Sequence, residues 1–140
     1  MKILLAADGS TFSKKMLAYL ATHDTLFSRA HEYSVFNAQP ALPARARAAL
    51  GKNTVEKYYA EEGEKVLSPV RKFLKRHGIE AETSVKVGHA GELISKAAQD
   101  GEFDLLVMGS HGHGALLTLV MGSVATQVLA HCKVPVLVVR

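Results

Sequence analysis

Little in this 140-residue chain is built for crosslinking or for a membrane: there is one cysteine, no tryptophan, 6% aromatic residues and four prolines. A single thiol, Cys132, excludes an internal disulfide framework. No apolar run approaches the roughly 20 residues that cross a bilayer, which excludes membrane insertion. The first apolar stretch, ILLAA at 3–7, is interrupted by Asp8 before a secretory core would end, so the expected location is cytoplasmic. Seventeen Lys and Arg against thirteen Asp and Glu leave a formal net charge of +4. That balance suits an anionic ligand, but the cations are too dispersed to compel nucleic-acid binding. No internal repeat or low-complexity linker divides the chain. Its length and its 48% hydrophobic content fit one domain, residues 1–140, with a sizeable core.

Short apolar runs alternate with longer amphipathic ones, which is the α/β pattern. KILLAA (2–7) is apolar without alternation and predicts a strand buried on both faces. STFSKKMLAYLA then predicts a helix capped by Ser10 or Thr11, with Phe12, Met16 and Leu20 on one stripe. EYSVFNA (32–38) is a second strand, and QPALPARARAALGKN reads as a variable loop that could hold a helical turn. Residues 54–77 are helical, with Val55, Tyr59, Val66, Val70, Phe73 and Leu74 inward. Pro69 would break an interior hydrogen bond, so Ser68 could instead cap a second helix with Pro69 at its first position. The basic cluster Arg71, Lys72, Lys75 and Arg76 suits a helix carboxyl end, which Gly78 can close. IEAETSVKV (79–87), AGELISKAAQD, FDLLVM (103–108), GSVATQVLAHC and VPVLVVR complete a strand, helix, strand, helix, strand order. Five strands linked by helical crossovers predict a doubly wound, three-layer sandwich around a parallel sheet with helices on both faces. Ligands of such sheets bind past the carboxyl ends of the strands, where the strand order reverses. ADGS (7–10) and the segment 108–123, MGSHGHGALLTLVMGS, both follow strands and would line one crevice if those strands are neighbours.

The second of these loops carries Gly109, Gly112, Gly114 and Gly122. It lacks the Gly-Lys-Ser/Thr ending of a P-loop, and Leu117 stands where a G-x-G-x-x-G fingerprint begun at Gly112 needs its third glycine. Gly122-Ser123 directly precedes the apolar pattern Val124, Val128, Leu129, so it marks a helix amino terminus. Such an end offers unpaired N–H groups and a positive partial charge to a phosphate.

The spacing Gly109-x2-Gly112-x9-Gly122-Ser123, preceded by DLLVM and followed by VATQVLAHCKVPVLVV, resembles the universal stress protein family in its nucleotide-binding branch. ILLAADGS and VKVGHAGELISKAA resemble further segments of the family, in order, so the similarity covers essentially the whole chain. The resemblance implies a five-stranded parallel α/β fold of the Rossmann-like, adenine nucleotide alpha hydrolase-like type. It also implies ATP, with Mg2+, at the carboxyl edge of the sheet and a homodimer through the last strand, from Val134 to Arg140. Carried over by position, Ala7 and Asp8 lie near the adenosine, Ala38 walls the adenine, and Met108 and Gly109 approach the nucleoside. Gly112 meets the phosphates, and Gly122, Ser123 and Val124 supply backbone donors. His113 stands where a basic residue is common, and Thr118 occupies the next positively charged position of the loop. Ala125 lacks a hydroxyl found in some members, and Ala38 is smaller than the usual valine. Less fixed charge on the phosphates implies weaker affinity or a stronger dependence on magnesium.

Blander roles compete with these. The glycines also fit a tight turn; Asp8 and Ser123 also suit helix capping. His111 and His113 lack the cysteine or acidic ligand that zinc would want nearby, which favours a solvent- or phosphate-facing pair. Cys132 reads as a half-buried structural residue. The functional expectation is an ATP-binding regulatory module that acts on a protein client. The alternatives are a slow ATPase or phosphotransfer enzyme using Ser123 or a loop histidine, and a stress protein without nucleotide that works by protein contacts. Gly122→Val is expected to abolish ATP binding and leave the fold intact.

Overall fold

A computed structural model describes residues 1–114 and 120–140. The elements run β1 (Lys2–Ala6), α1 (Thr11–Thr22), β2 (Glu32–Gln39), α2 (Ala44–Leu50), α3 (Lys52–Arg76), β3 (Ala81–Val87), α4 (Ala90–Asp100), β4 (Leu105–Gly109), α5 (Ser123–His131) and β5 (Val136–Val139). The five strands form one sheet in the order β3-β2-β1-β4-β5, and every pairing is parallel. The order reverses between β1 and β4, the two strands that precede the candidate loops.

The continuous hydrophobicity of β1 is explained by its place at the centre of the sheet. Ile3 and Leu5 join Met16, Leu20, Val35, Leu67, Val70 and Leu74 in a core beneath α1 and α3. Leu4 and Ala6 join Phe36, Ile94, Leu106, Met108, Ala125 and Val128 in a second core beneath α4 and α5. A strand with a helical layer on each face cannot show polar alternation. β3, at one edge, does show it: Ala81, Thr83 and Val85 are half-buried between exposed Glu82, Ser84 and Lys86.

Three sequence expectations change. Pro69 does not divide the long helix; α3 is continuous over 25 residues, and no second helix starts at Ser68. The buried positions Gly63, Leu67, Val70 and Leu74 keep a 4-3-4 spacing across the proline. Burying each of the three large ones is worth about 1.5–3 kcal/mol, together more than the roughly 3 kcal/mol that an interior proline takes away. Leu67, absent from the expected inner face, is the central residue of that stripe. Tyr59 is only half-buried and accepts the Leu42 N–H on its hydroxyl at 2.8 Å. The proposed variable loop contains α2, which buries none of its residues and joins α3 through Gly51 at φ +80°. Lastly, β3 begins at Ala81, because Ile79 is used to close α3, donating its N–H to Leu74 O at 2.9 Å.

Candidate functional site

A crevice of about 630 Å³ opens at the carboxyl edge of the sheet over the β1/β4 reversal point, a volume within the usual range of small-molecule sites. Its wall includes all ten residues picked out from sequence: Ala7, Asp8, Ala38, Met108, Gly109, Gly112, His113, Gly122, Ser123 and Val124. They arrive from the ends of β1, β2 and β4 and from the start of α5. Thr118 and Leu117 lie outside the described residues.

One end of the crevice is apolar. Ala38, Phe36, Met108 and Ile94 form it, continuous with the core under α4 and α5. β1 stops at Ala6 while β2 runs on to Gln39, so the main chain of Ala38 lies past the end of its neighbour. The other end is the first turn of α5. Its cap position is held by Gly122, which has no side chain to offer, and no side-chain cap bond is made. The first intrahelical bond is Thr126 N–H to Gly122 O at 3.0 Å. The N–H groups of Ser123, Val124 and Ala125 therefore have no partner within the helix and stand at its positive end. Among the described lining residues there is no lysine or arginine, and Asp8 is the one carboxylate. Attraction for an anion therefore rests on backbone dipoles together with the histidine and serine side chains of the lining.

Asp8 has two employments. Its Oδ1 accepts from Ser10 N–H at 2.9 Å and from Ser13 Oγ at 2.8 Å, ordering the entry to α1, whose cap is Ser10. Its Oδ2 is turned towards Gly112, where an added Cβ would lie 2.9 Å from it. Capping and crevice-lining are thus performed by different oxygens of one carboxylate.

The glycines divide by cause. A Cβ on Gly109 would sit 2.7 Å from Phe12 Cβ and 3.0 Å from Phe12 C, so this glycine lets α1 approach the end of β4. Phe12 accordingly is half-buried and turned to this junction instead of sharing the fully buried stripe of Met16 and Leu20. Gly114 alone in the described loop needs the left-handed region, at φ +68°. Gly122 presses on the protein's own backbone: a Cβ would meet His111 Cα at 3.0 Å and Ser110 O at 3.1 Å, and its N–H already donates to Ser110 O at 2.8 Å. Two expectations fall here. Gly122 N–H is not a spare donor; the donors without a partner among the described residues begin at Ser123 and extend to Ala125. Nor can Gly122→Val leave the fold untouched, since the added carbon is driven against a strand end.

The two histidines differ in setting, though both line the crevice. His111 is not solvent-facing: it is 9% exposed, tilted on Phe12 with ring centroids 4.7 Å apart, and its Nδ1 shares a 2.8 Å hydrogen bond with Ser110 Oγ. His113 is exposed and donates Nε2–H to the Asp8 carbonyl at 2.6 Å, bridging the two loops. Among the described residues no three His, Cys, Asp or Glu side chains gather to hold a metal ion. Cys132 is half-buried, as its sequence context suggests. Sequence reasoning missed Asn37, a fully buried amide at the end of β2 whose Nδ2 donates to Ala7 O at 2.8 Å. The available signal was one polar residue inside the apolar run Val35 to Ala38.

A parallel sheet covered on both faces, with a crevice at its reversal point and an uncapped helix start in that crevice, defines an α/β protein of the doubly wound class. The comparison with known families is more specific: the universal stress protein family matches residues 1–140, and the chain belongs to it. It is 33% identical over 139 residues to universal stress protein Slr1230 of Synechocystis, covering 99% of this chain but only 42% of that protein. The solved structure of MJ0577, a universal stress protein of Methanocaldococcus jannaschii, superposes with a TM-score of 0.82 at 28% identity, covering 99% of this chain and 94% of that one. Two more distant structures share the fold: an Archaeoglobus fulgidus universal stress protein in complex with dAMP (TM-score 0.68, 20% identity, 100% and 98% coverage) and an Arabidopsis family member with AMP bound (0.70, 17%, 99% and 90%).

Proposed function

We propose that the crevice binds an adenine nucleotide, ATP carried with Mg2+, and that occupancy regulates contact with a protein client. The observation that carries this reading is the uncapped first turn of α5, with Ser123, Val124 and Ala125 N–H groups facing one end of a crevice whose other end is apolar. A polyanion on those donors extends the α5 dipole to the charge it favours, and a flat base fits between Phe36, Ala38, Met108 and Ile94. The base edge has a matching group. The Ala38 main chain presents a donor and an acceptor beyond the end of β1, the complement of an adenine N1 and its 6-amino group. The AMP and dAMP held by the two distant structures support the choice of adenine. Asp8 has one oxygen committed to α1, and no second carboxylate stands among the described lining residues, which suits a magnesium ion held mainly by phosphate oxygens and water and not by a protein cage. The ion would neutralise phosphate charge for which the described lining residues offer no lysine or arginine.

Regulation follows from the crevice walls, which come from the ends of β1, β2 and β4 and from α5. The strength of any response is bounded by the difference in nucleotide affinity between the client-binding and client-free forms. The half-buried edge strand β5 supports the homodimer through residues 134–140, a second copy covering what is otherwise an open row of backbone groups. A cytoplasmic site of action, where ATP is plentiful, is consistent with this function.

Calorimetric titration of the purified chain with ATP, ADP and AMP, with and without Mg2+, tests the reading. Affinity is expected to rise with phosphate number and with magnesium. Absence of binding by all three nucleotides refutes it.

A further inference from the structure

The nucleotide reading has no role for Asn37, yet this residue is only 1% exposed and both ends of its amide are engaged. Nδ2 donates to Ala7 O at 2.8 Å, and Oδ1 accepts from Gln39 Nε2 at 2.6 Å. Its side chain lies with Tyr33 and Val35 on the α1/α3 face of β2, whereas Phe36 and Ala38 face α4 and the crevice.

The ladder shows what that bond displaces. Phe36 O accepts from Ala7 N–H at 3.0 Å, so Phe36 points its backbone groups at β1. Residues two apart on a strand address the same neighbour, so the next rung of a parallel ladder would run from Ala38 N–H to Ala7 O. That rung is not made: Ala7 O accepts from the Asn37 side chain, whose amide stands against it, and β1 ends at Ala6. β2 itself does not fray there. On its other side it keeps register with β3 through Gln39 opposite Val87, and Gly88 N–H still reaches Gln39 O at 2.9 Å. The opening is confined to the side where a base would lie.

We infer that Asn37 is a positioning residue that sets base selectivity: by holding the Ala7 carbonyl it ends the β1–β2 ladder one rung early and leaves the Ala38 N–H available to read a 6-aminopurine. The inference rests on the nucleotide reading above. Adenine offers an acceptor at N1 and a donor at its 6-amino group, matching the Ala38 N–H and C=O. Hypoxanthine reverses both, with a donor at N1 and an acceptor at O6. Discrimination between them therefore requires the Ala38 donor to be unspent. With Leu at position 37, Ala7 O regains the rung and the donor is consumed.

Two measurements on the full chain separate the inference from the reading beneath it. Without ligand, amide hydrogen exchange followed by NMR is expected to find Ala38 N–H exchanging as readily as a loop amide while Phe36 N–H is protected. Asn37→Leu should slow exchange at Ala38 at least tenfold. With ligand, wild type should prefer ATP to ITP, and Asn37→Leu should reduce that ratio by about tenfold, the worth of one hydrogen bond, with ITP affinity unchanged. Asn37→His, whose ring Nδ1–H stands near the amide Nδ2, should retain the preference. Ala38→Pro, which deletes the donor directly, should lose it even where the leucine variant fails to fold. Equal loss of ATP and ITP, an unchanged ratio in Asn37→Leu and Ala38→Pro, or wild-type Ala38 protected like Phe36 would overturn the inference. Wild type binding neither triphosphate, with the exchange pattern as expected, would overturn the nucleotide reading and the selectivity built on it while leaving the ladder-ending role of Asn37 standing.

Discussion

Gly122→Ala is the sharpest probe of the helix-start site, because its effect can be worked from two distances. The added methyl carbon would lie 3.0 Å from His111 Cα and 3.1 Å from Ser110 O, both main-chain atoms at the end of a core strand. Neither yields readily, since Ser110 N–H is itself tied to Val139 O at 2.8 Å. Gly122 has φ −74°, which alanine adopts without strain, so the whole effect is steric. Relief to ordinary contact moves the start of α5 outward by a few tenths of an ångström and stretches the Gly122 N–H to Ser110 O bond. Overpacking of this kind takes about 1–3 kcal/mol from stability, which is a large share of the 5–15 kcal/mol typical of a domain. The same movement carries Ser123, Val124 and Ala125 N–H off their aim. Loss of one charge-assisted hydrogen bond is worth about 1.5–3 kcal/mol, so ATP affinity should fall by roughly tenfold to a hundredfold. Thermal unfolding and ATP calorimetry on the same preparation read both consequences. Gly114→Ala is the control: nothing among the described residues lies within 4 Å of the added carbon, and its φ of +68° penalises stability with no push on α5. If Gly122→Ala bound ATP as wild type does, phosphate recognition by the first turn of α5 would be refuted, whatever the melting temperature.

Ser10→Ala removes the cap of α1, whose Oγ accepts from Ser13 N–H at 3.3 Å, and should lower stability by about 0.5–2 kcal/mol in urea unfolding. Tyr33 gives an alkaline signature: burial raises its phenol above the ordinary 10.0, and its hydroxyl donates to Ser28 O at 3.0 Å. The unfolded chain releases this proton first, so the contribution is intact below pH 10 and is lost as pH rises through the folded value. Tyr33→Phe should lose about 0.5–1.5 kcal/mol at pH 7 and show a shallower decline in urea midpoint between pH 9 and 11 than wild type.

What the sequence disclosed and what it hid follow the range of the interactions involved. The central strand was readable from Ile3 to Ala6, with the apolar run overshooting its end by Ala7, because burial on two faces writes itself into every residue of the segment. The α5 amino terminus was readable because a small cap and the apolar spacing behind it are local. Pro69 misled for the same reason in reverse. A proline's penalty is local, while the burial of Leu67, Val70 and Leu74 that outweighs it depends on strands elsewhere in the chain.

The site followed this rule in finer detail. All ten chosen residues reached one crevice, since the motif fixes which loops meet there. Their bonds were not readable: His113 to the Asp8 carbonyl spans 105 residues, and Gly109 is glycine because of Phe12 on another helix. The same holds for the base edge. Nothing in Val35-Phe36-Asn37-Ala38 says that the asparagine turns to a neighbouring strand and donates to the Ala7 carbonyl. A sheet edge that recognises a base has to be kept unfinished, and an amide that occupies the last carbonyl of the adjacent strand is a means of keeping it so without exposing a polar group to the core.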